Sequence, residues 1–570
     1  MPFERLIDES RLFLSRWYLL EWQTPEERMM DIAKHAEKIL WIKWFADKFY
    51  NYLWKGYYSL STPVRTNFWN WRWMPISCHS IEMWDSVADI MHTNWELWVM
   101  TKLWAWVWTY FWNLRPRWTA ITNNWESSGS VHFMEMFDKT ASVISQGSQR
   151  RWATTPYLPV EHWDIEEFLE IGTEWHPIQR CTTAVTISNE WMKDMLEWNK
   201  ENRKTRAKIL KRRSEVGYPY ITFVWNANEQ RVDVYKDKWL EIKTSNICQE
   251  IFLNTDEKNS FVCCLSSINL LHRDEIKDTD AVETMVCFLD AVMQEFINKL
   301  ESLRDSDKKE DNITFHFMEK AYNFALRERA IWVWVLGWHS YLQSKMIAIE
   351  SVEASAINID IWKVIKDKTY SASMWMADVY WEPSLLKWYW RRHSHLMAVA
   401  PTTSSAFILW QVSQSIEPLM SNYYTKNLAK HTATIKNIYL EQLLKEKKMS
   451  NRDVWDSIRD YDGSVQHLDF LTPEEKQVFK TFKEIDQDIL LQQASDRQKY
   501  IDQWQSLNTM ITPSMTAKDV SNLCIKAWEL SLKWLYYAHS INAAQETVRS
   551  IKQASDIEKV CYIWCKSCEA

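Results

Sequence analysis

The spacing of apolar positions changes along the chain. Residues 1 to about 57 repeat at helical intervals, and "TPEERMMDIAKHAEKIL" (24–40) predicts a helix capped by Thr24, with Pro25 in its first turn and Glu27 three residues past the cap. From about 58 to 545, short β-like runs such as "YPYITFVW" (218–225) and "AVAPTTSSAFILW" (398–410) alternate with amphipathic helical ones. Examples of the latter are "AVETMVCFLDAVMQEFINKLESLRD" (281–305) and "EEKQVFKTFKEIDQDILLQQASDRQKYIDQ" (474–503). Such alternation predicts an α/β architecture. "LRDSDKKEDN" (303–312) reads as a solvated loop, and 546–570 as a mobile tail. The expected division is a helical region over 1–57, an α/β domain over 58–545 and the tail.

One segment fits none of these periods. "MTKLWAWVWTYFWNLRPRW" (100–118) carries five tryptophans, yet Lys102, Asn113, Arg115 and Arg117 interrupt it well short of the ~20 apolar residues of a bilayer span. Composition changes its meaning. The chain has seven glycines and 38 tryptophans in 570 residues, whereas glycine alone usually holds about 7%. Deficit and surplus nearly cancel, so most tryptophans are expected to stand where glycine belongs. The simplest source is a gene whose code reads a nominal stop codon as glycine. Restoring glycine turns the segment into a flexible stretch instead of a hydrophobic strand. A literal tryptophan at each tight turn is expected to cost about 1–3 kcal/mol in strain and a similar amount in overpacking, so the tryptophan-bearing chain should fold poorly.

The other totals narrow the class. A net charge of −7 from 68 basic and 75 acidic residues argues against nucleic acid as a partner and suits a cytoplasmic enzyme acting on small molecules. The start "MPFERLIDESRLFLSRW" lacks the apolar core of a signal peptide. Ten cysteines at this length read as reduced thiols, not a disulfide scaffold. Within "SNICQEI", Asn246, Cys248 and Glu250 alternate, which would aim all three at one target if the segment is extended.

Nine blocks in order, "SLSTPVRTNF" (59–68), "MPISC" (74–78), "SNICQEI" (245–251), "VCCLSSINL" (262–270), "APTTSSA" (400–406), "SQSIEP" (413–418), "GSVQHLDFL" (463–471), "DRQKYIDQWQSLN" (496–508) and "KAWELSLKWLYYAHS" (526–540), make the chain resemble the large, catalytic subunit of ribonucleotide reductase. That resemblance implies a ten-stranded α/β barrel of two parallel five-stranded halves around a central finger loop. It implies reduction of ribonucleoside diphosphates to 2′-deoxyribonucleoside diphosphates. The family pattern expects glycine at Trp69, Trp73, Trp104, Trp108, Trp112, Trp332, Trp334, Trp410 and Trp504, and accepts tryptophan at Trp338, Trp455 and Trp528.

The resemblance also assigns roles. Cys248 matches the thiyl-radical residue, Glu250 the base for the 3′-hydroxyl, and Asn246 the amide on the ribose hydroxyls. Cys78 and Cys263 match the reducing dithiol; position alone does not separate Cys263 from Cys264, and the register "C-x-L-S" favours Cys263. Cys181, Cys287 and Cys524 match no role. In "CYIWCKSC", Cys565 and Cys568 are expected to shuttle disulfides to thioredoxin or glutaredoxin, with Cys561 spare; a zinc site lacks a fourth nearby ligand. Tyr536 and Tyr537 match a radical relay from a small subunit, which needs an irregular backbone, since neighbours on a regular strand face opposite ways.

Thr62, Ser77, Thr402, Thr403, Ser404 and Ser405 match the phosphate positions. Asp85, Gln149 and Arg150 match an effector site for dNTP or ATP with Mg2+. Motifs begin almost at once, leaving no room for the ATP cone some members carry. The implied assembly is a homodimer with a radical-generating dimetal small subunit, and no metal or tightly bound cofactor in this chain. The alternatives are an adenosylcobalamin-dependent reductase and a catalytically inactive nucleotide-binding partner.

Overall fold

A computed structural model describes residues 10–11, 14–15, 19, 23–70, 73–76, 78–103, 105–123, 125–144, 154–409, 412–428 and 431–540. Ser77, Gln149, Arg150 and the tail cysteines Cys561, Cys565 and Cys568 lie outside these residues.

Two helices lead in. α1 (Pro25–Leu40) starts with the reciprocal box foreseen: Thr24 Oγ1 accepts from the Glu27 N–H (3.2 Å), and the Glu27 carboxylate accepts from the Thr24 N–H (2.9 Å). Its buried stripe of Ile32, Ala33, Ala36 and Leu40 packs on α2 (Phe45–Trp54).

The barrel is built in two halves. In the first, β2 (Cys78–Glu82), β3 (Trp106–Tyr110), β4 (Pro156–Pro159), β5 (Ala184–Ile187) and β6 (Tyr220–Phe223) pair in parallel and in chain order. In the second, β7 (Leu265–Asn269) pairs in parallel with β8 (Trp332–Leu336). Parallel bridges then lead from Val333 to Met397 and from Val399 to Gln505. That half ends where β11 (Thr509–Ile511) meets β13 (Ala538–Ser540). The halves face opposite ways and join at two antiparallel seams. At one, Ser80 N donates to Phe261 O and Cys263 N to Cys78 O, both at 3.0 Å. At the other, β12 (Trp534–Leu535) pairs with β6. β1 (Tyr58–Leu60) adds to β7 outside the barrel, and β9 (Tyr423–Leu428) pairs antiparallel with β10 (His431–Lys436) in a separate two-stranded sheet. Helix α4 (Lys200–Val216) packs on β13, and the 24-residue helix α5 (Ala281–Arg304) covers β7 and β8.

Several expectations need correction. The stretch around 106–110 is not flexible: it is β3, fixed by parallel neighbours on both sides, with Val107 and Trp108 fully buried on opposite faces. A strand buried on both faces shows no clean polar alternation to read. The run 398–410 is one strand position followed by a helix, α7 (Thr403–Ile408). The helix expected over 474–503 is broken into Pro473–Val478 and Gln487–Gln498, because Thr481 and Glu484 form a second capping box between them. Within the supposed loop over 303–312, residues 303–304 end α5 and 309–312 begin a further helix, Lys309–His316.

Among the described residues, 19 non-glycine residues have positive φ, and ten of them are tryptophan: 41, 44, 69, 118, 175, 198, 239, 381, 388 and 390. This region favours glycine because Cβ otherwise meets the backbone. Six buried indoles, of Trp108, Trp332, Trp334, Trp338, Trp504 and Trp534, have no acceptor for their N–H. By contrast Trp455 donates to Ser450 Oγ and Trp528 to Asn189 Oδ1, each at 3.2 Å.

Candidate active site

The finger loop is a tight hairpin inside the barrel. Ser245 bridges Phe252, Asn246 N donates to Ile251 O (3.1 Å), and Gln249 N donates back to Asn246 O (3.0 Å). Gln249 takes φ +68° at the tip. Asn246 and Glu250 therefore meet because the chain turns back on itself, not because it is extended, which corrects the reading from alternation. Asn246 Nδ2 donates to Glu250 Oε1 (2.6 Å), while its Oδ1 accepts from the N–H groups of Glu250 (2.8 Å) and Ile251 (3.0 Å). One amide thus fixes both the turn and the carboxylate.

Both half-barrels grip this loop. From β4, Tyr157 donates its hydroxyl to Asn246 O (3.0 Å). From the second half, Gln503 imitates a strand neighbour, accepting from Phe252 N–H and donating to Phe252 O, and Trp504 N donates to Glu250 O (2.9 Å). Ser506 Oγ donates to Cys248 O and lies 3.3 Å from Glu250 Oε2.

Burial pushes the Glu250 carboxyl up to about 8, opposed by the Asn246 hydrogen bond and aided by the nearby Cys78 thiol. A carboxyl held there is poised for proton transfer near neutral pH.

Cys78 opens β2, and the seam that joins the halves places Cys263 against it, their thiols hydrogen-bonded. Burial first, then the Cys78 contact, holds the Cys263 thiol well above the ordinary thiol range. Cys264 points the other way and donates to Leu289 O on α5 (3.4 Å). The seven described cysteines are free thiols. Cys248, Cys78, Cys263, Glu250 and Asn246 are thus brought together from segments up to 185 residues apart.

Tyr536 and Tyr537 fall in the interruption between β12 and β13, so the irregular backbone that adjacent aromatics need is present. Tyr536 is buried, its ring centroid 4.7 Å from that of Tyr220 on β6. Tyr537 N donates to Asn508 Oδ1 (3.2 Å), and its ring lies against Gly217. A Cβ on Gly217 would stand 2.2 Å from that ring, and φ there is +87°; glycine is required on both counts.

Ser59 Oγ donates to Ser405 O (3.4 Å), so the 402–405 run at the start of α7 sits beside β1 and Thr62. Thr402 Oγ1 accepts from Ser415 N (2.8 Å), and Thr403 donates to Gln414 Oε1 (3.1 Å). Asp85 lies away from this site, just before α3 (Val87–Lys102), and pairs with Arg115 at 2.6 Å. The sequence reading missed Tyr157, Gly217, Gln503 and Ser506, although the last two lie within a motif block. Arg115 has no role in the sequence reading, and its charge opposite that of Asp85 is the available signal. No cluster of three or more metal-ligating side chains occurs among the described residues, and no described helix is long and apolar enough to cross a membrane.

Comparison with known proteins agrees with this geometry. The family described as "Ribonucleotide reductase, barrel domain" matches residues 76–206, 200–382 and 386–538. The chain is 37% identical over 413 residues to the ribonucleoside-diphosphate reductase large subunit of Invertebrate iridescent virus 3, covering 71% of this chain and 61% of that one. It is 26% identical over 631 residues to the ribonucleoside-diphosphate reductase subunit alpha of Chlamydia trachomatis, covering 91% and 57%. Both relatives are therefore longer than the matched span. Among solved structures, the Actinobacillus ureae class Id ribonucleotide reductase alpha subunit superposes with a TM-score of 0.88 at 46% identity, covering 96% of this chain and 99% of that one.

Proposed function

The chain belongs to the ribonucleotide reductase family as a large-subunit barrel, and from that premise we propose that it reduces ribonucleoside diphosphates to 2′-deoxyribonucleoside diphosphates. The observation that carries this reading is the convergence of two hydrogen-bonded thiols, a third cysteine on the loop tip and a buried carboxyl with raised affinity for its proton.

The balance of the reaction assigns the groups. Cys248, as a thiyl radical, takes the 3′ hydrogen of the ribose and becomes a thiol. Glu250 takes the 3′-hydroxyl proton, with Asn246 holding its carboxylate in place. The 2′-hydroxyl leaves as water, and Cys78 and Cys263 supply two electrons and two protons as they become a disulfide. Cys248 then returns a hydrogen atom to the 3′ carbon and regains its radical, while Glu250 gives its proton back to the 3′ oxygen and is ionised again. Thr62 and the 402–405 run would hold the diphosphate through hydroxyl and backbone N–H groups. A partner small subunit would generate the radical, which would reach Cys248 through Tyr537 and Tyr536. Thioredoxin or glutaredoxin would restore the dithiol by way of Cys565 and Cys568. Asp85 would read a dNTP or ATP effector with Mg2+, in a homodimer working in the cytoplasm.

The break in the strand at Tyr536–Tyr537 favours this class over a cobalamin-dependent reductase, which makes its radical locally. The test is turnover by a glycine-restored chain with its small subunit added. Activity that depends on that subunit and ignores adenosylcobalamin is expected; activity with adenosylcobalamin alone would overturn the class.

A further inference from the structure

Ser506 touches both chemically important parts of the finger loop, and the reaction above gives it no task. Its side chain is fully buried, and its N–H donates to Val399 O (2.6 Å), which fixes it in the second half-barrel. The hydroxyl faces two acceptors, Cys248 O and Glu250 Oε2. One hydroxyl proton cannot serve both. With Glu250 protonated, the carboxyl O–H donates to Ser506 Oγ and the serine proton stays on the Cys248 carbonyl. With Glu250 ionised, the carboxylate is the stronger acceptor and draws the serine proton away. We propose that Ser506 is a positioning residue that couples the charge on Glu250 to the backbone of Cys248, so that base and radical carrier are set together.

This rests on the reaction proposed above. The groups facing Glu250 are Asn246 on its own loop, Cys78 on β2, Cys263 across the seam, and Tyr157 on β4. Glu250 acts as a base only when ionised, so kcat/KM rises with pH through its titration. Ser506→Ala removes a donor to the ionised form. The rising limb is then expected about one pH unit higher, with kcat down about tenfold and KM held within about twofold. Ser506→Thr, which keeps the hydroxyl, is expected to leave the limb in place. A limb unmoved in Ser506→Ala, or moved equally in both variants, overturns the proposal. So does loss of a cooperative melt in Ser506→Ala, which would assign the residue to the scaffold. Should the glycine-restored chain with Ser506 intact reduce no ribonucleotide, the proposed reaction falls instead. Infrared difference titration of the Glu250 carboxyl, identified against Glu250→Gln, then reads the same shift without turnover.

A different observation carries a second inference. Trp381 closes α6 (Val352–Tyr380) at φ 69°, ψ 159°, a conformation reached essentially by glycine alone. Gly129 holds the matching geometry, φ 86°, ψ 162°, with a glycine. The neighbouring turn is nonetheless well specified: Glu382 accepts from the N–H groups of both Trp388 (2.9 Å) and Trp390. Backbone and partners fit the turn, and the side chains project into solvent, with Trp381 and Trp388 each 81% exposed. We infer that the ten left-handed tryptophans are glycine in the protein as its natural host makes it. Tandem mass spectrometry of the natural protein, on peptides covering 41–44 and 381–390, should read glycine at every one of those positions. Tryptophan in those peptides would overturn the inference.

Discussion

Gln249 and Trp388 share a left-handed backbone and almost nothing else. Gln249 is buried at the tip of a hairpin whose flanking residues are held by Asn246, Tyr157, Gln503, Trp504 and Ser506. Trp388 sits in an open turn held by one carboxylate, with an indole that faces water. The comparison separates two kinds of strain. At the loop, surrounding bonds over-determine an unfavourable backbone, and the geometry they fix is the one the proposed reaction would use. At the Trp388 turn the added ring lies in solvent and does not offset the strain of its Cβ, so the strain marks a residue foreign to its position.

The sharpest way to probe the first side is to remove the thiol. Cys248→Ser is expected to abolish turnover while effector binding, followed by equilibrium dialysis of a dNTP, stays unchanged. Full activity in that variant would end the mechanism. Next comes Glu250→Gln, expected to lower kcat by about 10²–10⁴-fold. The wild-type profile should rise through about pH 8, where the buried carboxyl ionises, and the variant should lose that limb. Smaller again is Gly217→Ala, which drives a methyl into the Tyr537 ring. Small-subunit-dependent kcat should fall by roughly 10²-fold through misplacement of the relay, with substrate affinity kept. On the other side of the comparison, Trp381→Gly should raise stability by about 1–3 kcal/mol in denaturant unfolding and leave kcat alone. A loss of stability there would collapse the distinction.

How far the sequence could be read follows the same division. The box at Thr24 and the run 281–304 were legible because caps and helical spacing are local. The motif blocks singled out Cys78, Asn246, Cys248, Glu250 and Cys263, which the fold gathers at one place, since family resemblance carries positions that no local rule does. The reason Asn246 meets Glu250 was not legible, because it depends on a turn closed by the main chain around Gln249. β3 was hidden twice, by tryptophans in place of the expected residues and by a strand whose place is set by neighbours on either side. Ser506 and Gln503 lay in plain view within a block, but their contacts cross more than 250 residues of chain.

The grip of both half-barrels on the finger loop has one more consequence. Tyr157 reaches it from the first half, while Gln503, Trp504 and Ser506 reach it from the second. The same closure that creates the antiparallel seam brings Cys78 to Cys263. A nascent chain with only one half formed therefore has neither a seated Cys248 nor the Cys78–Cys263 pair. The fold works as an interlock: the residues that the proposed reaction would use to handle a free radical come together only once the walls that confine them are complete.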